Sequence, residues 1–329
     1  MYLDLNNTLL NLVCKITKAN GTNIEADAKV VQIIYRIATM FNQVDINLGN
    51  RLITQSDNVR YRAYIESNLR HSHKALDTQL SVGLFYKDTQ AHFEDTALNR
   101  GNNGFKKEQA SPPAVDSLFS WGAYIQTFSS KISFLSMRVK VSLSVRLAHA
   151  EALQLSNGKY AIERVALKIF SIPTGTRLTQ QQNLLLPKLI IIGFVDNTAF
   201  SGLYTSNPFN FKHYDINHAA LVHKGTVIPA KPFTPSFGTS NFVREYLSLV
   251  WITGKHLCDF GVVVSREGYG AGYTLFVFDL NPDMKDGDHY NLIKNGYVKA
   301  EIHFTQALAT NVNIFVFAVF DSVIEVNQA

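Results

Sequence analysis

Val312-Asn313-Ile314-Phe315-Val316-Phe317-Ala318-Val319-Phe320 is the stretch that decides the fold. Its β-branched and aromatic residues favour a strand, and apolar side chains fall on both parities of the alternation. A strand with one wet face would alternate with polar residues. Both faces of this one must therefore be covered, as in the central strand of a sandwich. Working outward, Tyr273 to Leu280 is a second such strand, opened by Gly268, Gly270 and Gly272 and closed by Asn281-Pro282-Asp283. Lys188 to Val195 is a third, and Val298 to Phe304 alternates as a fourth. Several strands with turn residues between them and few crossover helices predict an all-β chain built as an antiparallel sandwich or jelly roll.

Helices are sparse. Tyr61 to Leu69 has helical apolar spacing after Asn58, and Asn241 is placed to cap a helix over Phe242 to Val250. A third helix is expected from Val145 to Leu155, stopping at Asn157-Gly158 near the middle of the chain. Pro229, Pro232 and Pro235 rule out an internal strand or a helix over Val227 to Phe237, which leaves an ordered loop or an extended edge. The turn-rich segment from Arg100 to Ser130 reads as a loose connection.

A phrase recurs along the chain. Residues 44–47 read V-D-I-N, with Arg62-Ala63-Tyr64-Ile65 after them; residues 214–217 read Y-D-I-N, with Arg244-Glu245-Tyr246-Leu247 after them. A strand-then-helix phrase said twice predicts two similar domains in tandem. A length of 329 residues, 46% hydrophobic and 17% charged, agrees with two domains and a substantial core. Lysine and arginine number 31 against 26 acidic residues, and the net charge of +5 is spread thinly, which is not a nucleic-acid signature. Cys14 and Cys258 match no metal spacing and read as buried free thiols in a reducing compartment. With no leader-like N-terminus and no apolar run of membrane-spanning length, the chain is expected to be soluble, intracellular and not secreted.

Catalysis would require titratable groups brought together, and the sequence offers no such cluster. His71-Ser72-His73 has the spacing of two ligands on one strand face, but it ends a predicted helix and no glutamate follows closely. His213, His218, His223, His289 and His303 share no ligand spacing on one element and read as surface or turn histidines. The glycines of Gly268-Tyr269-Gly270-Ala271-Gly272 precede a strand, not a helix with Lys-Ser/Thr, so they form a turn and not a phosphate loop. Asp279, Asp283, Asp286 and Asp288 lack the EF-hand pattern and read as a solvated acidic turn. Asp4, Asp45, Asp215 and Asp321 are assigned no chemistry. The aromatic phrase from Asn207 to Tyr214 reads as a packed corner, with Phe209 and Phe211 buried on one side, in preference to a ligand platform. The expectation is no catalytic residue, no cofactor and no metal.

Several longer phrases carry a resemblance. These are Lys168-Ile169-Phe170-Ser171-Ile172-Pro173-Thr174-Gly175-Thr176-Arg177, L-P-K-L-I-I-I-G-F-V-D-N from Leu186, N-P-F-N-F-K-H-Y-D-I-N from Asn207, G-Y-T-L-F-V-F-D-L-N-P-D from Gly272 and V-F-A-V-F-D-S-V-I-E-V at the end. In the first half, Y-L-D-L-N-N-T-L-L from Tyr2, F-N-Q-V-D-I-N-L-G-N from Phe41, Y-R-A-Y-I-E from Tyr61, L-F-Y-K-D-T from Leu84 and N-N-G-F-K-K from Asn102 continue it. Together they resemble the major capsid (hexon-type) protein of Polinton/Maverick elements and adintoviruses. That resemblance implies a double jelly roll: residues 1–145 as a first, shortened roll and residues 146–329 as the second. It also implies a virion protein that assembles as homotrimeric pseudo-hexagonal capsomers in a capsid lattice. A penton-type minor capsid protein is an implied partner, and non-specific contact with packaged DNA is left open.

The chain departs from that pattern in two places. Met1 abuts the Y-L-D-L phrase where relatives carry a further strand, and the stretch from Gly104 to Ser136 is much shorter than theirs. The first sandwich is therefore expected to be incomplete, with ladder edges that invite mispairing or a partner. Three functions stay open at this point: a self-assembling capsid subunit, a truncated or host-retained derivative that binds intact subunits without assembling, and a carbohydrate-binding or metal-dependent jelly-roll protein.

Overall fold

The computed structural model describes residues 2–17, 22, 39, 41–48, 51–95, 101–110, 127–203, 205–281 and 296–326. Strands dominate, with a few mostly short helices, so the fold class is all-β. In chain order the strands are β1 (Tyr2–Thr17), β2 (Gln43–Leu48), β3 (Arg51–Asp57), β4 (Thr127–Val139), β5 (Gly158–Ile172), β6 (Leu178–Leu185), β7 (Leu189–Asp196), β8 (Ile216–His223), β9 (Thr226–Phe233), β10 (Leu275–Asp279), β11 (Tyr297–Phe304) and β12 (Val312–Val326). The longer helices are α1 (Val59–Arg70), α2 (Leu143–Leu155) and α3 (Val243–Ile252).

The last eight of these strands form two sheets of four, ordered β10-β7-β12-β5 and β6-β11-β8-β9. Each sheet alternates strands from the beginning and the end of the segment. Such interleaving arises when a long antiparallel hairpin folds over on itself, giving the two Greek keys of a jelly roll. β12 lies between β7 and β5, as its doubly apolar sequence requires. Ile314 and Val316 join Ile190, Ile192, Phe276 and Ile302 in the core between the sheets. Phe315 and Phe317, of opposite parity, are equally buried on the other face of the sheet.

Helix α1 covers part of that second face. Tyr61, Tyr64, Ile65, Asn68 and Leu69 form its buried stripe, at the spacing of one helical face. The Tyr61 ring lies 4.3 Å from that of Phe315, and Tyr64 stacks on Phe209 at 4.4 Å and 14°. Gly193 in β7 makes room for this layer, since a Cβ there would stand 2.5 Å from Phe211 Cδ1. Gly272 holds φ at +109°, and a Cβ would stand 2.2 Å from Phe93 Cε2, so neither its backbone nor its space suits another residue.

The chain divides into two compact units. One comprises residues 34–110 and 163–321, the other residues 1–33, 111–162 and 322–329. Within the first, β2 and β3 form an antiparallel ribbon with a register shift between Ile46 and Asn47. Within the second, β1 pairs with β4 from Tyr2↔Val139 to Thr17↔Thr127, with an irregularity between Asp4 and Leu9. The Ser142 hydroxyl accepts from the Val145 amide at the start of α2, none of whose residues is buried.

Several expectations need correcting. Val44-Asp45-Ile46-Asn47 lies inside β2, but Tyr214 and Asp215 adopt left-handed φ of 46° and 48°, so only Ile216-Asn217 of the second phrase is strand. The Asp215 amide bonds back to His213 Nδ1 and the Asp215 carbonyl accepts from Thr305, which makes those residues a turn into β8. The repeat is thus not one of equivalent structure. Asn241 does not cap α3: the cap position is Phe242, without a side-chain bond, and Asn241 is tied by its backbone to Ser236. Asn58 does precede α1 but in a left-handed conformation, again without a side-chain cap. The segment from Arg100 to Ser130 is not wholly a loose connection, because Asn103–Ala110 is helical and β4 begins at Thr127. Cys258 is exposed, not buried; the Cys14 side chain lies outside the described residues. Of the two places its missing donors allow, the proline segment takes the edge: among the described strands β9 pairs with β8 alone.

Candidate functional surfaces

The corner from Asn207 to Tyr214 packs as expected, with Phe209 and Phe211 at most 1% exposed. A polar network holds residues 85–95 and 101–110 to it. Asp88 accepts from Asn102 Nδ2 at 2.7 Å and from Asn207 Nδ2 at 3.0 Å, while its carbonyl accepts from the Tyr273 hydroxyl at 2.7 Å. Glu94 accepts from the Asn207 amide and from Asn210 Nδ2, both at 2.8 Å, and pairs with Lys212 at 3.3 Å. Burial pushes the Asp88 carboxyl up to about 6, the two asparagine bonds opposing and Glu94 adding to the rise. The network fastens this part of the chain, and its Glu94, Asn210 and Lys212 also line a pocket beside Phe93 and Tyr214.

A cavity of about 250 Å³ is lined by Leu69, Lys188, Ile191, Trp251, Val277 and Phe317, among others. At its charged side Lys188 Nζ meets Glu163 Oε2 at 2.9 Å and Asp321 Oδ1 at 3.1 Å, and Arg70 pairs with Glu163. Burial works against ionisation of Glu163, but the bonds and charges of Lys188 and Arg70 outweigh it, so its pKa falls. The same pairing raises Lys188 against its own burial. Asp321, assigned no chemistry from sequence, is thus one arm of an ion-pair cluster.

The histidines behave unequally. His71 ends α1 and His73 opens a 3₁₀ turn, so the H-S-H motif does not converge. His213 stacks on Phe237 at 4.1 Å, and His223 Nδ1 lies 3.0 Å from the Tyr297 carbonyl. His289, Asp283, Asp286 and Asp288 lie outside the described residues, and Asp279 bonds the Asn281 amide at 2.8 Å. His218 and His303, however, are direct cross-strand partners on β8 and β11. Their rings stack with centroids 4.4 Å apart, and His303 Nε2 lies 3.1 Å from Glu301 Oε1. Burial lowers the His218 pKa, helped by His303 and opposed by Glu301. Sequence spacing missed this group because His218 lies 83 and 85 positions from Glu301 and His303, a separation that the β8–β11 register closes.

Exposed apolar side chains gather in three places. In α2, Leu143, Val145, Leu147 and Leu155 face solvent. From α3 onward Val243, Leu247, Trp251, Leu257 and Phe260 do so, and the β2–β3 ribbon presents Val44, Ile46 and Leu52. Grouped exposed apolar residues mark surfaces that meet another molecule. No helix among the described residues is long and apolar enough to cross a membrane.

No protein-family model matches the sequence. An uncharacterized Caenorhabditis elegans protein, F54H12.2, is 24% identical over an alignment 372 positions long that covers 98% of this chain and 87% of that protein. Among solved structures, one of the Sputnik virophage is similar with a TM-score of 0.48 and 10% identity, covering 95% of this chain and 78% of that one. The PBCV-1 protein VP54, fitted into a reconstruction of Sputnik, is similar with a TM-score of 0.48 and 12% identity over 100% of this chain and 97% of that one.

Proposed function

We propose that this chain is a structural protein, a subunit of a viral capsid whose activity is self-assembly and not catalysis. The observation that carries this reading is the jelly-roll strand order of residues 158–326, in the half that bears the longest phrases resembling hexon-type major capsid proteins. Jelly rolls are common in viral shells because two packed sheets make a stiff block whose sides can meet other blocks. The exposed apolar residues of α2, of α3 and its following turn, and of the β2–β3 ribbon supply surfaces for contacts between copies. In the full form of the reading the chain belongs with the Polinton/Maverick and adintovirus capsid proteins. Residues 1–145 are then the shortened first jelly roll and 146–329 the second, with cover for the second sandwich coming from α1. The assembly is a trimeric pseudo-hexagonal capsomer, joined in a virion by a penton-type protein.

The alternative is a host-retained derivative that binds intact subunits without assembling. Its support is the first half, where the described strands form two-stranded ribbons. Electron microscopy and mass measurement of the purified protein test the first reading, with capsomer-sized particles expected. A protein that stays monomeric where a full-length relative forms capsomers contradicts it, and assembly on lengthening the stretch between Gly104 and Ser136 then selects the derivative.

A further inference from the structure

The cross-strand pair His218 and His303, with Glu301 two residues along β11, has the donor set and spacing of a transition-metal site. Ala300, Ile302 and Phe304 of β11, with Ala219 and Leu221 of β8, point into the sandwich core. The alternation of a strand then sends Glu301, His303 and His218 to the opposite face of the sheet. One ligand atom from each of the three lies within 4.8 Å of the others. Ligand atoms held 2.0–2.1 Å from one zinc ion in tetrahedral array are separated by roughly 3.4 Å. Small side-chain rotations on a rigid two-stranded platform close that difference. All three residues are of intermediate exposure, open enough for an ion to enter.

We propose that His218, Glu301 and His303 bind a divalent first-row metal ion of the zinc class. Two imidazoles and a carboxylate are borderline donors that suit zinc, cobalt(II) or nickel(II) better than calcium or magnesium, which prefer oxygen alone. Three protein ligands leave one coordination position for water or an incoming group. Gln180 Nε2 stands 3.5 Å from Glu301 Oε2 and orients the carboxylate from the neighbouring strand β6. Lys299 Nζ, 3.8 Å from the same oxygen, balances its charge when the ion is absent. Metal entry replaces the contact between His303 Nε2 and Glu301 Oε1 with two metal bonds.

The test uses the full chain, purified without a histidine tag. Cobalt(II) is titrated while its visible absorption is recorded, and zinc is titrated by calorimetry. The site predicts one equivalent of zinc per chain and the intense visible bands of a four-coordinate cobalt ion. His218→Ala and His303→Ala each weaken binding by more than the roughly 10–100-fold lost with a supporting partner, whereas His223→Ala, on the same sheet, leaves it unchanged. Glu301→Gln, nearly isosteric, weakens binding without altering the circular dichroism of the metal-free protein, which separates lost coordination from lost folding. Cobalt bound only in the weakly absorbing six-coordinate form, or zinc binding that survives Glu301→Gln and both histidine variants, overturns the proposal.

Discussion

Tyr61 offers a paired test of how α1 seats on the jelly roll. Its ring is completely buried against Phe315, with Phe209 at 5.4 Å and Phe200 at 5.8 Å, and the Arg60 guanidinium carbon lies 4.9 Å from its centroid. Truncating such a ring removes its transfer energy and leaves a cavity, so Tyr61→Ala is expected to cost about 3–5 kcal/mol. The hydroxyl behaves oppositely. It is buried with no hydrogen-bond partner among the described residues, and burial drives its pKa upward against the nearby Arg60 charge. Leaving such a group unsatisfied costs about 1–3 kcal/mol. Tyr61→Phe keeps the ring and its cation–π contact, removes the hydroxyl, and is expected to stabilise the protein by about 1 kcal/mol. Urea unfolding followed by circular dichroism, with equal slopes for the three proteins, reads both values. A Phe variant less stable than wild type by about 1 kcal/mol or more, or an Ala variant within about 0.5 kcal/mol of it, would refute this placement of α1.

Gly193→Ala should destabilise by at least about 1–3 kcal/mol, because its methyl drives into Phe211, and thermal unfolding measures it. Asp88 gives a pH test. Its folded pKa is raised from 3.8 to about 6, so the native state binds the extra proton and the contribution to stability falls as pH rises through that window. The stability of Asp88→Asn relative to wild type should therefore climb by roughly 2.5 kcal/mol between pH 4 and pH 7, and a flat difference contradicts the burial argument. Lys188→Met takes from Glu163 and Asp321 the cation they share, leaving Glu163 only Arg70, and should cost about 1–3 kcal/mol at pH 7 by denaturant titration. That cost shrinks in acid, because Glu163, whose pKa is depressed, holds its charge at neutral pH and loses it only as pH falls through the lowered value.

Strand identity was legible where composition overdetermined it. Val312 to Phe320 declared two buried faces, and the structure supplies a sandwich core on one and a buried aromatic layer on the other. Proline chemistry leaves a loop or an edge for Val227 to Phe237, and the pairing makes β9 an edge. The D-I-N phrases misled because a tetrapeptide does not fix φ: in the second copy the backbone bonds of Asp215 turn the first two residues left-handed. One helix cap misleads for a similar reason, since Asn241 is chosen by residue type while the cap position falls on Phe242. The His218, Glu301 and His303 group was invisible because pairing register is a tertiary property. Two histidines far apart in sequence carry no spacing until β8 and β11 lie side by side.

Self-assembly is the central claim, and the mass of the purified chain across concentration, read by sedimentation with electron microscopy of the same sample, tests it most directly. A shift from single chains to trimers with a pseudo-hexagonal outline is the predicted result. A protein that stays monomeric at every concentration, under conditions where a full-length relative forms capsomers, contradicts it.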